Sequence, residues 1–107
     1  MLVEAVETLR VVHFDRLKTV LAIHHYLGEP LRVVMPLRTI IADALRLGSA
    51  GLLLSHNHPS GDPTPSQADI SATHRLMRAA QALDIRVHDH VITGSNQHFS
   101  LRAAGLL

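Results

Sequence analysis

A chain of 107 residues is long enough to bury one hydrophobic core and short for two domains, so a single domain over 1–107 is expected. The absence of cysteine excludes disulfide staples and thiol chemistry, and although 47% of the residues are apolar, no run approaches the ~20 that cross a bilayer. Ten basic residues balance nine acidic ones, the arginines are scattered from Arg10 to Arg102, and the aromatics are Phe14, Tyr26 and Phe99 alone. A nucleic-acid binder concentrates positive charge and adds stacking platforms, so direct nucleic-acid binding is not expected. Glu4 and Glu7 interrupt the N-terminus without a basic leader, which argues against a signal peptide and for a cytoplasmic protein.

In chain order, Thr8 to Asp15 alternates Leu9, Val11 and His13 against Val12 and Phe14, the period of a strand. Leu17 to Tyr26 follows a short break at Asp15-Arg16 and completes a hairpin. Gly28-Glu29-Pro30 interrupts the pattern, and Leu31 to Met35 reads as a short third strand. Pro36 opens a helix to Leu47, with Ile40, Ile41, Ala44 and Leu45 at helical spacing and Gly48 as its stop. Ala50 to Leu54 is a buried strand, Ser66 to about Leu83 a second amphipathic helix, Ile85 to Thr93 a strand, Gly94-Ser95-Asn96 a turn, and His98 to Leu101 a closing strand. The order gives an α/β domain with a mixed sheet flanked by helices.

The chemistry concentrates in LLLSHNHPSGDPTPSQAD, Leu52 to Asp69. Side chains two apart on an extended chain point the same way, so His56 and His58 face one point and Asn57 faces away. Asp69 arrives from the first turn of the following helix. Two imidazoles and a carboxylate are a ligand set of catalytic zinc sites, which leave a fourth position for water. With nine histidines an H-x-H pair is expected from composition alone, and His88-Asp89-His90 is a second instance. Context separates them: His56 and His58 leave an apolar strand at a Pro/Gly turn and have a carboxylate on the next helix. Asp62, in the turn, is the weaker rival to Asp69. Ser66 and Asp69 also read as a capping box, a role compatible with Ser66 donating its own proton elsewhere. Asn57, Pro59, Ser60 and Gly61 shape the loop, while Asp89 or His90 is a candidate to orient a ligand histidine from behind.

His56, His58, Ser66 and Asp69 stand as H-x-H-x(7)-S-x(2)-D, which resembles the JAMM motif of the JAB/MPN metalloproteases. The fuller string HNHPSG…PS..D, with Thr73, Asp89-His90-Val91-Ile92 and Ser100, resembles the RadC branch of that family. The resemblance implies a cytidine-deaminase-like α/β sandwich and one Zn2+ held by His56, His58 and Asp69. It further implies Glu7, in the string E-x-L-x-V-x-x-x-D, as the base for a metal-activated water, with Glu4 as the rival, and Ser66 as the donor to the oxyanion. The implied activity is hydrolysis of a peptide or isopeptide bond in an unidentified peptide or protein substrate. The alternative is a non-proteolytic binding module near DNA-processing machinery; self-association stays open, and no membrane partner is expected. The chain departs from the family in lacking its helical N-terminal region and in VVMPLRTIIADAL, where V-x-P-R-E is usual.

Overall fold

The computed structural model describes residues 7–27 and 35–107. Five strands and two helices follow in the order β1 (Thr8–Phe14), β2 (Val20–Leu27), α1 (Leu37–Leu47), β3 (Gly51–Asn57), α2 (Gln67–Gln81), β4 (Arg86–Thr93) and β5 (His98–Ser100). The expected strand at Leu31 to Met35 lies almost wholly outside the described residues, which resume at Met35.

β1 and β2 form the expected hairpin, but β2 begins at Val20 rather than Leu17. The cause is Asp15, whose carboxylate accepts from the amides of Leu17 and Thr19 at 2.9 Å each and holds them in a turn. A side chain that satisfies two backbone donors competes with the strand ladder. Leu17 is left 87% exposed in that turn, so its apolar character is not a strand signal.

The sheet runs β2-β1-β3-β4-β5. β1 is antiparallel to both neighbours, β3 and β4 are parallel, and β5 returns antiparallel. A parallel pair needs a crossover, and α2 provides it. Leu9, Val11 and His13 of β1 lie level with His56, Leu54 and Leu52 of β3, and all six side chains are buried on one face. Ile40 and Ala44 of α1 and Leu76 and Ala80 of α2 close over that face in a single core, so both helices cover the same side of the sheet. Each leucine buried there contributes about 1.5–3 kcal/mol relative to exposure. α1 ends where Gly48, at φ 71, takes the left-handed conformation and bonds back to the last carbonyls.

The β3–β4 ladder changes register between Leu52 and Leu53: Val87 lies opposite Leu52, but Asp89 lies opposite Leu53. His88 is the extra residue of this bulge. Because the side-chain period is two, one added residue inverts the facing of everything after it. Val87 is buried before the bulge, and His90 and Ile92 are buried after it. Strict alternation from Val87 would have turned Asp89 and Val91 inward instead.

Candidate metal centre

His56 is the last inward-facing residue of β3 and is 1% exposed. His58 follows just beyond the strand, where its amide donates to the carbonyl of Thr93 at 2.8 Å. The next turn closes by the amide of Gly61 on the carbonyl of His58, 2.9 Å, and the amide of Ser95 donates to Gly61 at 2.9 Å. The loop carrying His58 is therefore pinned to the β4–β5 turn. Gly94 permits this approach: a Cβ there would sit 2.2 Å from the Gly61 carbonyl oxygen. Ser66 then caps α2, its hydroxyl accepting from the Asp69 amide at 3.0 Å while an Asp69 oxygen accepts from the Ser66 amide at 2.8 Å. This is the expected capping box, and it fixes the Asp69 carboxylate toward β3.

The three side chains meet. His58 Nε2 lies 3.2 Å from Asp69 Oδ2 and His56 Nε2 3.6 Å from Asp69 Oδ1. One ligand atom from each lies within 4.8 Å of the other two, the one such group of three among the described residues. His56 Nε2 is buried with no hydrogen-bond partner. A buried, unpaired ring nitrogen is costly, and a cation between it and a carboxylate relieves it. His58 points the same way, because its Nδ1 lies 2.9 Å from the Asp62 carbonyl, which can only accept. In a neutral ring the proton is thus on Nδ1, and the Nε2 lone pair faces a carboxylate oxygen. Two acceptors opposed without a proton between them fit a metal ion. Asp62 serves through this carbonyl, while its carboxylate binds the amide and hydroxyl of Thr64.

The electrostatics keep these groups in the protonation states a metal ligand needs. Burial lowers the His56 pKa to about 4, with His58 adding to the effect and Asp69 opposing it. Burial alone would raise Asp69, but the Ser66 hydrogen bonds and the two imidazoles outweigh it and hold the carboxyl below its ordinary value. At neutral pH the site presents a neutral imidazole at His56 and an ionised carboxylate at Asp69.

Behind the ligands, His90 Nε2 lies 2.6 Å from His56 Nδ1, and His90 Nδ1 lies 2.7 Å from Thr73 Oγ1. Of the two residues expected in this role, His90 therefore touches a ligand, whereas Asp89 accepts from Ser100 and from the Arg102 amide and ties β4 to the segment after β5. Thr73 carries no local sequence signal for this role beyond a hydroxyl one turn past Asp69; only the family string contains it. Glu7 is buried, two residues before Leu9, which pairs with His56. The Thr8 amide donates to Asn57 Oδ1 at 2.7 Å, which ties the start of β1 to the end of β3 just after Glu7. Glu4 lies outside the described residues. Of the other histidines, His24 pairs with Asp43, His74 with the Leu106 carbonyl, and His88 packs edge-on against Phe14.

No helix among the described residues is long and apolar enough to cross a membrane. The chain is 43% identical over 102 residues to a UPF0758 protein of Rhodobacter capsulatus, a match covering 94% of this chain and 48% of that protein. It is 42% identical over 102 residues to a UPF0758 protein of Ruegeria pomeroyi, covering 94% of this chain and 46% of the relative. The chain thus spans about half the length of the curated relatives it matches. It matches the RadC-like JAB domain over residues 1–106: the chain belongs to the RadC-like JAB domain family.

Proposed function

We propose that this domain is a zinc-dependent hydrolase of peptide or isopeptide bonds. The observation that carries the reading is the convergence of His56, His58 and Asp69 around a buried, unpartnered imidazole nitrogen. When bound, the metal supplies Lewis acidity toward a carbonyl and lowers the pKa of water to about 7. The protein's own groups do the rest. His56 and His58 direct Nε2 lone pairs at one point, and Asp69 adds charge and cancels part of the ion's own.

Glu7, buried immediately before β1, is the base that takes a proton from the attacking water and returns it to the leaving nitrogen. Such transfer is worth about 10²- to 10⁴-fold. Ser66 accepts the Asp69 amide through its oxygen and so keeps its proton for the oxyanion that forms as the carbonyl is attacked. The test is a quenched peptide library incubated with zinc-replete protein, chelated protein serving as the control. Turnover that vanishes on chelation and falls 10²-fold or more in Glu7→Gln, which retains its metal, is the expected result. Zinc-loaded protein that cleaves no amide would leave a metal-holding binding module as the surviving reading.

A further inference from the structure

His56, His90 and Thr73 form a hydrogen-bonded line whose proton positions can be worked out from one end. Thr73 Oγ1 lies 2.7 Å from the carbonyl oxygen of Asp69 and 2.7 Å from His90 Nδ1. A hydroxyl has one proton, and a carbonyl has none to offer. The Thr73 proton therefore goes to the Asp69 carbonyl; otherwise two oxygens would face each other at hydrogen-bond distance with nothing between. His90 Nδ1 must then donate to Thr73. A neutral imidazole has a single N–H, so His90 Nε2 is the acceptor in its 2.6 Å contact with His56 Nδ1. The His56 proton is consequently on Nδ1, and its lone pair is on Nε2, the atom that faces Asp69 across 3.6 Å.

From this geometry we infer that His90 and Thr73 are positioning residues that set the tautomer of His56, so that the metal-facing nitrogen is a lone pair before any ion arrives. This rests on the metal reading above and adds to it what aims one of the ligands. The line returns to its own beginning, because the carbonyl that orders it belongs to Asp69, itself a ligand. The same α2 turn therefore delivers the carboxylate to the front of the site and the proton order to the back. The bulge at His88 is what makes it possible, since without the added residue His90 would face away from His56. His58 needs no such device, as the Asp62 carbonyl fixes it directly.

The test uses the whole chain, metal-free, with ¹⁵N-labelled histidine, and reads tautomers from two-bond ¹H–¹⁵N couplings. Wild-type protein is expected to show both His56 and His90 protonated on Nδ1. Thr73→Val, which keeps the shape and removes the hydroxyl, is expected to mix the His56 tautomers and weaken zinc binding 10- to 100-fold, the usual cost of losing an outer-shell partner. Thr73→Ser is expected to restore both. A wild-type His56 protonated on Nε2, a Thr73→Val protein with unmixed tautomers and zinc affinity within twofold of wild type, or equal losses in the Val and Ser variants would each overturn the inference. Wild-type protein that takes up no zinc while showing the stated tautomers would sink the metal reading and leave the ordered line standing.

Discussion

Two histidine–aspartate clusters occupy opposite ends of one sheet face, and in their pairwise geometry they are nearly alike. At the His56 end the two rings are 4.8 Å apart at 56° and an imidazole lies 3.2 Å from Asp69. At the His13 end the rings of His13 and His24 are 5.1 Å apart at 61°, and His24 lies 3.2 Å from Asp43. Each cluster also contains a buried Nε2 without a hydrogen-bond partner, on His56 and His13 respectively. What differs is the carboxylate. Asp69, held by the Ser66 amide, turns one oxygen to each imidazole, whereas Asp43 is engaged by both the Tyr26 hydroxyl at 3.1 Å and the Arg46 guanidinium at 3.3 Å. Among the described residues only the first cluster brings three ligand atoms within 4.8 Å. Residue type and pairwise distance are alike at the two ends; what sets the first apart is a carboxylate that, while one oxygen accepts from the Ser66 amide, presents an oxygen to each imidazole.

The largest effect that distinction implies is in metal stoichiometry. Purified protein is expected to take up one zinc per chain, His58→Ala or Asp69→Ala none, and His24→Ala one, read by elemental analysis after dialysis. A His24→Ala protein without metal would erase the contrast between the two ends. Next comes pH. Burial lowers His56 to about 4 and, with His56 adding to it, His90 to about 3, both below the ordinary value of 6.5. A histidine with a depressed folded pKa gives stability that is complete above the unfolded value and lost as pH falls toward the folded one. Below pH 6.5 the unfolded chain binds as many as two more protons at these sites, a slope of up to about 2.7 kcal/mol per pH unit. Urea melts of metal-free protein at pH 7.5, 6 and 5 should show that decline; a midpoint constant across them would contradict the buried neutral pair.

Much of this was legible in the residues themselves. The apolar run into His56, the Pro/Gly turn and the S-x-x-D helix start place all three candidate ligands on one bend, because strand period, turn chemistry and capping are local properties. The outer support was harder to see. His90 belongs to an H-x-H pair that duplicates the His56–His58 pair in composition, and only the bulge at His88, a property of strand pairing, turns it toward His56. Asp62 was legible as a loop carboxylate but acts through its backbone carbonyl, which no side-chain pattern reveals. Leu17 misled for the opposite reason, since an apolar residue continued the strand pattern while Asp15 had already taken the amides it would have used.

At the His13 end the predicted effects are smaller, since among the described residues no third ligand atom joins both His13 and His24 there. His13 Nδ1 lies 2.8 Å from Ser49 Oγ while Nε2 is orphaned, so His13→Leu combined with Ser49→Ala removes both partners and an unpaired atom together. Replacing both members of a buried polar pair by apolar groups is close to neutral or stabilising, so the double variant is expected within about 1 kcal/mol of wild type, with full zinc uptake. Ser49→Ala alone should cost more than the pair, because it leaves His13 without any partner. A double variant that unfolds, or that loses its metal, would mean that this cluster supports the distant site after all.

The smallest effect is expected from Asp43→Asn. The Arg46 contact is solvent-exposed and the asparagine oxygen can still accept from Tyr26, so the loss should stay below about 1 kcal/mol. The more telling readout is optical, because Tyr26 is the only tyrosine and the chain has no tryptophan. Burial, then the hydrogen bond to Asp43 and its charge, push Tyr26 up to about 12. Removing the charge while leaving the burial should bring the onset of tyrosinate absorbance to lower pH, yet keep it above the ordinary value of 10, since burial is the larger cause. An onset unmoved by the substitution would show that Asp43 is not holding Tyr26. Burial alone would then account for the raised Tyr26, and at this end Asp43 would be committed to His24 and Arg46 only, which narrows its difference from Asp69.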